Sequence, residues 1–198
     1  MHIAEGILKP EILVAGWVLT APVVGYALYK LDSEGIPKVA LLTALFFIGS
    51  FIHIPIGPTS THLVFNGVVA AIGGVYAFLA IGIALLFQAL LFGFGGLGVL
   101  GVNTFIMAFC PVVLWFFLRK AVKRGGSRFT TGAILFIGGA LPVLCSLMLL
   151  VFMLYINSTD LEYATSAILI FNIPLMVIEG LISLFMLHFI LKYKPQLI

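Results

Sequence analysis

The sequence is poor in charged residues. Only 9% of its 198 residues are Asp, Glu, Lys or Arg, and 63% are hydrophobic, with a mean hydropathy of +1.27. A soluble domain carries roughly 25% charged residues. With so few charges, the chain cannot form a water-compatible surface around a folded domain. The composition therefore excludes a soluble protein and predicts a polytopic membrane protein.

Several sequence signals are also missing. The first thirty residues have no basic region ahead of an apolar run, so we do not expect a cleavable signal peptide. The two cysteines, Cys110 and Cys145, both fall in apolar runs, which makes a structural disulfide unexpected. The chain contains neither a Gly-x-x-x-x-Gly-Lys-[Ser/Thr] phosphate loop nor a His-Glu-x-x-His motif. These absences argue against an ATPase or a metallohydrolase of the common kinds, and we predict that the chain is not an enzyme.

Seven apolar segments follow one another along the chain. A straight crossing of a bilayer needs about 20 residues, so the third segment is too short for one. We expect it to form a hairpin with the fourth, with its first arm sunk into the protein. The predicted fold class is an all-α integral membrane protein, a seven-segment transmembrane helix bundle forming one domain over residues 1–198. The segments comprise residues 10–31, 37–53, 62–73, 75–93, 101–119, 130–156 and 164–191.

The basic residues are distributed unevenly between the predicted loops. With seven crossings, nine of the ten Lys and Arg residues fall on one side, which should be the cytoplasm. The amino terminus is then predicted outside and the carboxyl terminus inside. The pI near 9.0 is explained by this bias and does not indicate nucleic acid binding. The nine residues are Lys30, Lys38, Arg119, Lys120, Lys123, Arg124, Arg128, Lys192 and Lys194.

A few polar residues interrupt the apolar segments. Ionisable groups in a membrane are costly and often functional. We expect Gln88 and Asn103 to make interhelical hydrogen bonds. Glu179 is expected to be a structural or coupling residue away from the outer face, and His188 to lie at the cytoplasmic interface. The full set is His2, His53, His62, Gln88, Asn103, Glu179 and His188.

The amino terminus has the composition of a metal chelate. The amine of Met1, the amide nitrogen of His2 and the imidazole Nδ1 of His2 can close a five-membered and a six-membered ring on one ion. Three nitrogens in a plane suit Ni(II) and Cu(II), whereas magnesium and calcium prefer oxygen. Because the amine must be unprotonated and the imidazole neutral, binding should weaken in acid.

The planar chelate leaves one corner for a fourth ligand, which we predict to be His62. It lies on the predicted outer face, in a loop rich in hydroxyl groups. An additional ligand or a supporting group around the site is expected from His53, Glu5, Thr59, Ser60 and Asn103. Glu5 is equally suited to capping the first turn of a helix, and Asn103 to holding the loop near His62.

Four stretches resemble the CbiM/NikM family, the cobalt and nickel substrate-binding subunits of energy-coupling-factor transporters. "MHIAEGIL" (1–8) resembles the amino terminus of the family, and "PIGPTSTH" (55–62) its Gly-Thr-Ser-x-His loop. "QALLFGFGGLGVLGVN" (88–103) resembles its Gln-Ala-Leu-Leu segment with the following Gly-Gly and Leu-Gly-x-Asn. "NIPLMVIEG" (172–180) resembles the Pro and Glu-Gly pattern of its last helix. The four occur in the family's order.

The resemblance implies a function as well as a fold. It implies binding of Ni(II) or Co(II) by the Met1 amine, the His2 amide and imidazole, and His62, with no catalytic cofactor. It implies a multi-pass, seven-helix protein of a prokaryotic plasma membrane, with the amino terminus inserted into the bundle as part of the site. It also links the chain to nickel or cobalt supply and hence to cobalamin biosynthesis. It also implies a separate transmembrane coupling subunit, two cytoplasmic ATPase subunits and, in some systems, a small accessory membrane subunit.

The sequence departs from the family pattern at several positions, so the choice between nickel and cobalt stays open. One alternative is a specificity subunit for an organic vitamin, which needs a larger pocket with aromatic and amide contacts. A less favoured alternative is an intramembrane metalloenzyme, which needs an open coordination position and a general base. The departures are Phe94, where a polar residue is expected, Pro58 and Thr61, where Gly is common, and His53, where Asn is common.

Overall fold

A computed structural model describes residues 2–51, 53–56, 59–157 and 162–198, with the backbone alone for 53–56, 59–61, 162–169 and 171. Most of the described chain is helical. Two short 3-10 turns, Gly74–Tyr76 and Pro195–Leu197, complete the helical part. The α-helices in the described residues are α1 (Pro10–Lys30), α2 (Gly35–Gly49), α3 (Asn66–Gly73), α4 (Ala77–Phe92), α5 (Leu100–Lys123), α6 (Arg128–Asn157) and α7 (Glu162–Tyr193).

Five stretches are long and apolar enough to cross a membrane. By length and composition these are α1, residues Asn66–Phe92, α5, α6 and the Asn172–Tyr193 part of α7. Residues Asn66–Phe92 reach this length only because α3 and α4 are counted together across the turn at Gly74–Tyr76. Helix α2 is apolar but shorter. The helical, multi-span character predicted from composition is therefore confirmed, while a count of seven crossings and the sidedness of the two termini stay predictions.

Residues 66–92 form the expected hairpin. At one end of α3, the Asn66 Nδ2 donates to the carbonyl of Met107 on α5, and at the other end the Arg119 guanidinium donates to the carbonyl of Ala71. Helix α3 therefore runs in the same direction as α5. Helix α4 runs in the opposite direction along α5: it ends at Phe92, a short connection before α5 begins at Leu100. A Cβ on Gly82, earlier in α4, would lie 3.5 Å from the Thr104 side chain, one turn into α5.

A three-stranded antiparallel sheet is the departure from a purely α-helical fold. Strand β1 is His2–Ile3, β2 is His53–Ile56 and β3 is Thr59–His62, in the order β1-β3-β2. In its register His2 lies opposite Ser60, and His53 lies opposite His62. Backbone groups that enter a protein at membrane depth must find partners, and the chain terminus and the 53–62 loop provide them for each other.

Glycines allow the helices around α3 to approach closely. A Cβ on Gly67 of α3 would collide with the backbone of Gly138 and Gly139 on α6. The Trp115 indole N–H of α5 donates to the Gly138 carbonyl at 2.9 Å and so joins α5 to the same part of α6. On the opposite side of the bundle, the Thr20 hydroxyl of α1 donates to the Gly101 carbonyl of α5 at 2.8 Å. Helices α3 and α5 therefore pack with their backbones close to those of the neighbouring helices.

Candidate metal centre

The two histidines predicted as ligands are brought together by the sheet. His2 is 2% exposed and His62 is 3% exposed. The Nδ1 of His2 and the Nε2 of His62 are 3.3 Å apart, and the two ring centroids are 5.3 Å apart. They come from positions sixty residues apart in the chain, so the contact depends on the pairing of β1 with β3.

The imidazole of His62 is oriented by its own backbone. Its Nδ1 lies 2.7 Å from the carbonyl oxygen of Leu63. A carbonyl oxygen only accepts, so Nδ1 carries the hydrogen in this contact. In the neutral ring, Nε2 is then the nitrogen with the free lone pair. That nitrogen is the one directed at the Nδ1 of His2.

Asn103 of α5 holds the strand that carries His2. Its Oδ1 accepts from the Ile3 amide and its Nδ2 donates to the Ile3 carbonyl, both at 2.9 Å. The expectation of a hydrogen-bonding role is thus confirmed, but the partner is the backbone of β1. It is neither another helix nor the loop near His62. The side chain is 2% exposed, so this two-point contact is shielded from water.

Aromatic rings flank the two imidazoles. The ring of Phe46 on α2 meets His62 edge-on, with centroids 6.4 Å apart. The ring of Phe94 lies 6.4 Å from the ring of His2 and 5.5 Å from that of Phe92. Phe94, the departure from the family pattern, therefore places an apolar ring beside the terminal histidine where the family pattern suggests a polar group.

Glu5 contacts the glycine-rich loop before α5. Its amide donates to the Gly95 carbonyl at 2.7 Å, and its Oε2 accepts from the Gly98 amide at 2.9 Å. Gly96 leaves room for the carboxylate, because a Cβ there would collide with Glu5. Helix α1 begins only at Pro10, so Glu5 does not cap it; its carboxylate lies instead on an amide just ahead of α5, which begins at Leu100.

Glu179 lies closer to the histidines than the sequence suggested. Its side chain is fully buried, and its Oε1 accepts from the Val64 amide at 2.5 Å. The Phe65 amide donates to both carboxylate oxygens at 3.1 Å. The carboxylate thus contacts the chain two residues after His62. The sequence did not suggest this contact, which forms because residues 63–65 descend from the sheet to α7. The depth predicted for Glu179, away from the outer face, stays a prediction.

The structure describes the side chains of some of the other candidate residues but not of all. Gln88 is fully buried, but neither of its side-chain polar atoms has a hydrogen-bond partner among the described residues, so the interhelical bond predicted for it is not formed. His188 lines a cavity with Arg128 and Lys192, away from the two paired histidines. Met1 and Pro58 lie outside the described residues, and only the backbone is described at His53, Thr59, Ser60 and Thr61.

The sequence matches, over residues 2–197, the family described as CbiM, cobalt uptake substrate-specific transmembrane region. The chain belongs to the CbiM family. A protein of Haemophilus influenzae, provisionally named a metal transport protein, is 34% identical over 99% of this chain and 96% of its own. The cobalt transport protein CbiM of Thermosipho melanesiensis is 29% identical over 99% and 88%.

A solved structure shares the fold of this CbiM-family chain. It is described as the crystal structure of a transition metal transporter and has a TM-score of 0.77 at 24% identity, covering 97% of this chain and 93% of its own. Together with the five long apolar stretches, the family assignment identifies a multi-pass membrane protein. The resemblance inferred from four short motifs is thereby confirmed over nearly the whole chain.

Proposed function

We propose that this chain is the substrate-specificity subunit of an energy-coupling-factor transporter that takes up Ni(II) or Co(II). The observation that carries the proposal is the buried contact between His2 and His62 at 3.3 Å. Two nitrogen ligands bound at about 2.0–2.1 Å and at right angles lie about 2.9 Å apart. The two imidazoles are therefore within a few tenths of an ångström of the spacing of neighbouring ligands on one ion.

The remaining ligands are proposed to be backbone nitrogens. Among the residues that the structure describes, no group of three or more His, Cys, Asp or Glu side chains is placed to hold a metal ion. Two imidazoles alone leave a divalent ion under-coordinated. The Met1 amine and the His2 amide complete a plane of four nitrogens, with His62 at the corner next to the His2 imidazole.

The surroundings favour a bare ion over an organic substrate. Phe46 and Phe94 flank the imidazoles, and Ile3 next to His2 is fully buried. A vitamin would need these side chains to move apart. The metalloenzyme alternative needs a base beside the ion, but Glu5 is bonded to the Gly98 amide and Glu179 to backbone amides. Relatives are named as transport proteins, which fits delivery better than turnover.

In the proposed arrangement the ion is captured outside and released inside. The strand that carries His2 is held by Asn103 near the start of α5, whereas Arg119 and Lys123 lie towards the other end of that helix. The positive-inside rule then favours an outer position for the histidines. Uptake then needs a transmembrane coupling subunit, two cytoplasmic ATPases and, in some systems, a small accessory membrane subunit. ATP hydrolysis by these partners drives the movement that opens the site inwards.

The decisive experiment compares metal binding by the native-terminus protein with that of a version carrying one Gly ahead of Met1. Titration with Ni(II) and Co(II), followed by visible absorption, should give a yellow planar-nickel band that the extension abolishes. H2A and H62A should also lose the band, whereas H188A, in the distant basic cavity, should keep it. Equal binding by the extended and native proteins would rule out the terminal chelate.

The transport part needs a second measurement. Cells that express the chain with a coupling subunit and ATPases should accumulate radioactive nickel or cobalt, and H62A should remove that uptake. Uptake that persists in H62A would contradict the assignment of this histidine as a ligand. Retained binding of an organic ligand by a variant that has lost metal would instead favour the vitamin alternative.

A further inference from the structure

We propose that Glu179 is a positioning residue that sets the orientation and the tautomer of His62 through the intervening backbone. Its described hydrogen bonds are to the turn formed by residues 63–65. The inference rests on the proposed function only for the role of His62 as a ligand.

The first step of the argument is the carboxylate itself. Glu179 is fully buried in α7, and its two carboxylate oxygens accept hydrogen bonds from the amides of Val64 and Phe65. A buried carboxylate needs such partners, and these amides precede α3, where no helical carbonyl serves them. Each group therefore satisfies the other, and the turn is tied to α7 across 115 positions of the chain.

The second step is the shape of the turn. Phe65 has φ +53°, a left-handed conformation that an L residue with a large side chain rarely adopts. Such a conformation persists where the surrounding contacts hold the backbone in place. Both oxygens of Glu179 contact the Phe65 amide, so the carboxylate is directly placed to stabilise it.

The third step connects the turn to the imidazole. The Leu63 carbonyl accepts from the His62 Nδ1 at 2.7 Å, and Leu63 immediately precedes the two amides that Glu179 holds. If the turn rotates, this carbonyl moves away and the ring loses the contact that fixes the proton on Nδ1. The nitrogen facing His2 would then carry the proton in part of the molecules. Supporting hydrogen bonds of this kind are a general means of orienting metal-ligating histidines.

The test uses three variants. E179L removes both acceptor oxygens at similar volume, while E179Q keeps one carbonyl acceptor and loses the other. S183A is the matched control: Ser183 is fully buried one turn further along α7, and its hydroxyl has no hydrogen-bond partner among the described residues. Each protein is purified with its full chain and native terminus, and its melting temperature is recorded.

The first readout needs no metal. In protein labelled with 15N-histidine, long-range proton–nitrogen spectra report the tautomer of His62, whose signals are assigned by their loss in H62Q. We expect the Nδ1–H form in the wild type and in S183A, a mixture of both forms in E179L, and an intermediate result in E179Q. A purely structural residue would lower the melting temperature without changing the tautomer. An unchanged tautomer in E179L would overturn the proposal.

The second readout is Ni(II) affinity from the visible band. We expect a loss of about tenfold or more in E179L, a smaller loss in E179Q and no change in S183A. If E179L does not fold, E179Q decides: wild-type affinity and an unchanged His62 spectrum would overturn the proposal. If the wild type bound no metal, the proposed function would fail, and the tautomer readout would still test the role of Glu179.

Discussion

The two ends of α3 are held by side chains of opposite charge. Before its amino end, the Glu179 carboxylate accepts from the Val64 and Phe65 amides. Near its carboxyl end, the Arg119 guanidinium donates to the Ala70 and Ala71 carbonyls, with distances down to 2.7 Å. Each charge opposes the partial charge of the helix end that it faces, and each occupies backbone groups that a short helix leaves unpaired.

The difference between the ends lies in what each contacts beyond the helix. The Glu179 end continues through Leu63 to the imidazole of His62. The Arg119 end lies beside the turn into α4 at Gly74 and within electrostatic range of Lys38. The first end is fully buried, and the second is part-buried. The same kind of helix cap is therefore expected to influence substrate binding at one end and folding alone at the other.

The largest expected difference between the ends concerns two glycines. In G67A, the new methyl group would collide with the backbone of α6, which cannot yield locally, and overpacking of this kind costs about 1–3 kcal/mol. In G73A, the nearest atom is the flexible Leu42 Cδ1 at 2.9 Å, and the gain in helix propensity of up to about 1 kcal/mol offsets the contact. Thermal unfolding in detergent should show a clear loss for G67A and little change for G73A. Equal losses of thermal stability in G67A and G73A would show that the two ends of α3 do not differ in how tightly they are packed.

R119L tests the Arg119 end by itself. It removes this donor from the Ala71 carbonyl, at a cost of about 1–3 kcal/mol if that group is left unsatisfied, whereas the Ala70 carbonyl still accepts from the Gly74 amide. The melting temperature should fall. Nickel affinity should stay within about twofold of the wild type, because no described contact joins Arg119 to the histidines. A tenfold loss of affinity would show that the two ends are not separable.

N103A releases the strand that carries His2 without altering α3. The two hydrogen bonds to the Ile3 backbone are lost, and each contributes about 0.5–1.5 kcal/mol. We expect nickel affinity to fall by about tenfold, measured by the visible titration. T104A is a control on the next residue of α5. An N103A affinity equal to that of T104A would mean that the sheet alone positions His2.

G49A is expected to cause the smallest loss of nickel affinity among the variants that reduce it, and it probes the end of α2 next to the turn that follows His62. A methyl group at this position would lie 2.8 Å from the Leu63 carbonyl oxygen, the acceptor for His62. A small displacement of that carbonyl should reduce nickel affinity severalfold, less than E179L does. G25A is the control, because Gly25 is exposed and a Cβ there would have no neighbouring atom within 4 Å. Wild-type affinity in G49A would show that the turn tolerates this displacement.

The sequence predicted the two paired histidines because their chemistry is unusual at these positions. His2 follows the terminus directly, and His62 lies in a hydroxyl-rich loop within an apolar chain. The hairpin of residues 62–93 was predictable from the shortness of its first segment. The small sheet was not, because a strand of two residues has no periodicity to detect.

Glu179 shows which information the linear sequence lacks. The free-energy cost of placing its carboxylate in an apolar helix was evident from the sequence. Its hydrogen-bond partners are backbone amides, however, and these are common to nearly all residues, so no sequence motif identifies them. A signal was present in the form of the Pro- and Gly-rich loop before α3, whose backbone groups must be satisfied at depth. Gln88 shows the opposite error: an amide in an apolar helix suggested a hydrogen bond that the described residues do not supply.

The tie between α7 and the turn after His62 also has a consequence for biosynthesis. Glu179 is translated 115 residues after Val64, which at about 5–20 residues per second takes roughly 6–23 s. Both histidines precede this interval and α3 is made at its start, but the carboxylate that holds the turn does not yet exist. The nascent chain thus holds the two amides without this partner until α7 arrives, so the turn after His62 is completed only once that helix has been made.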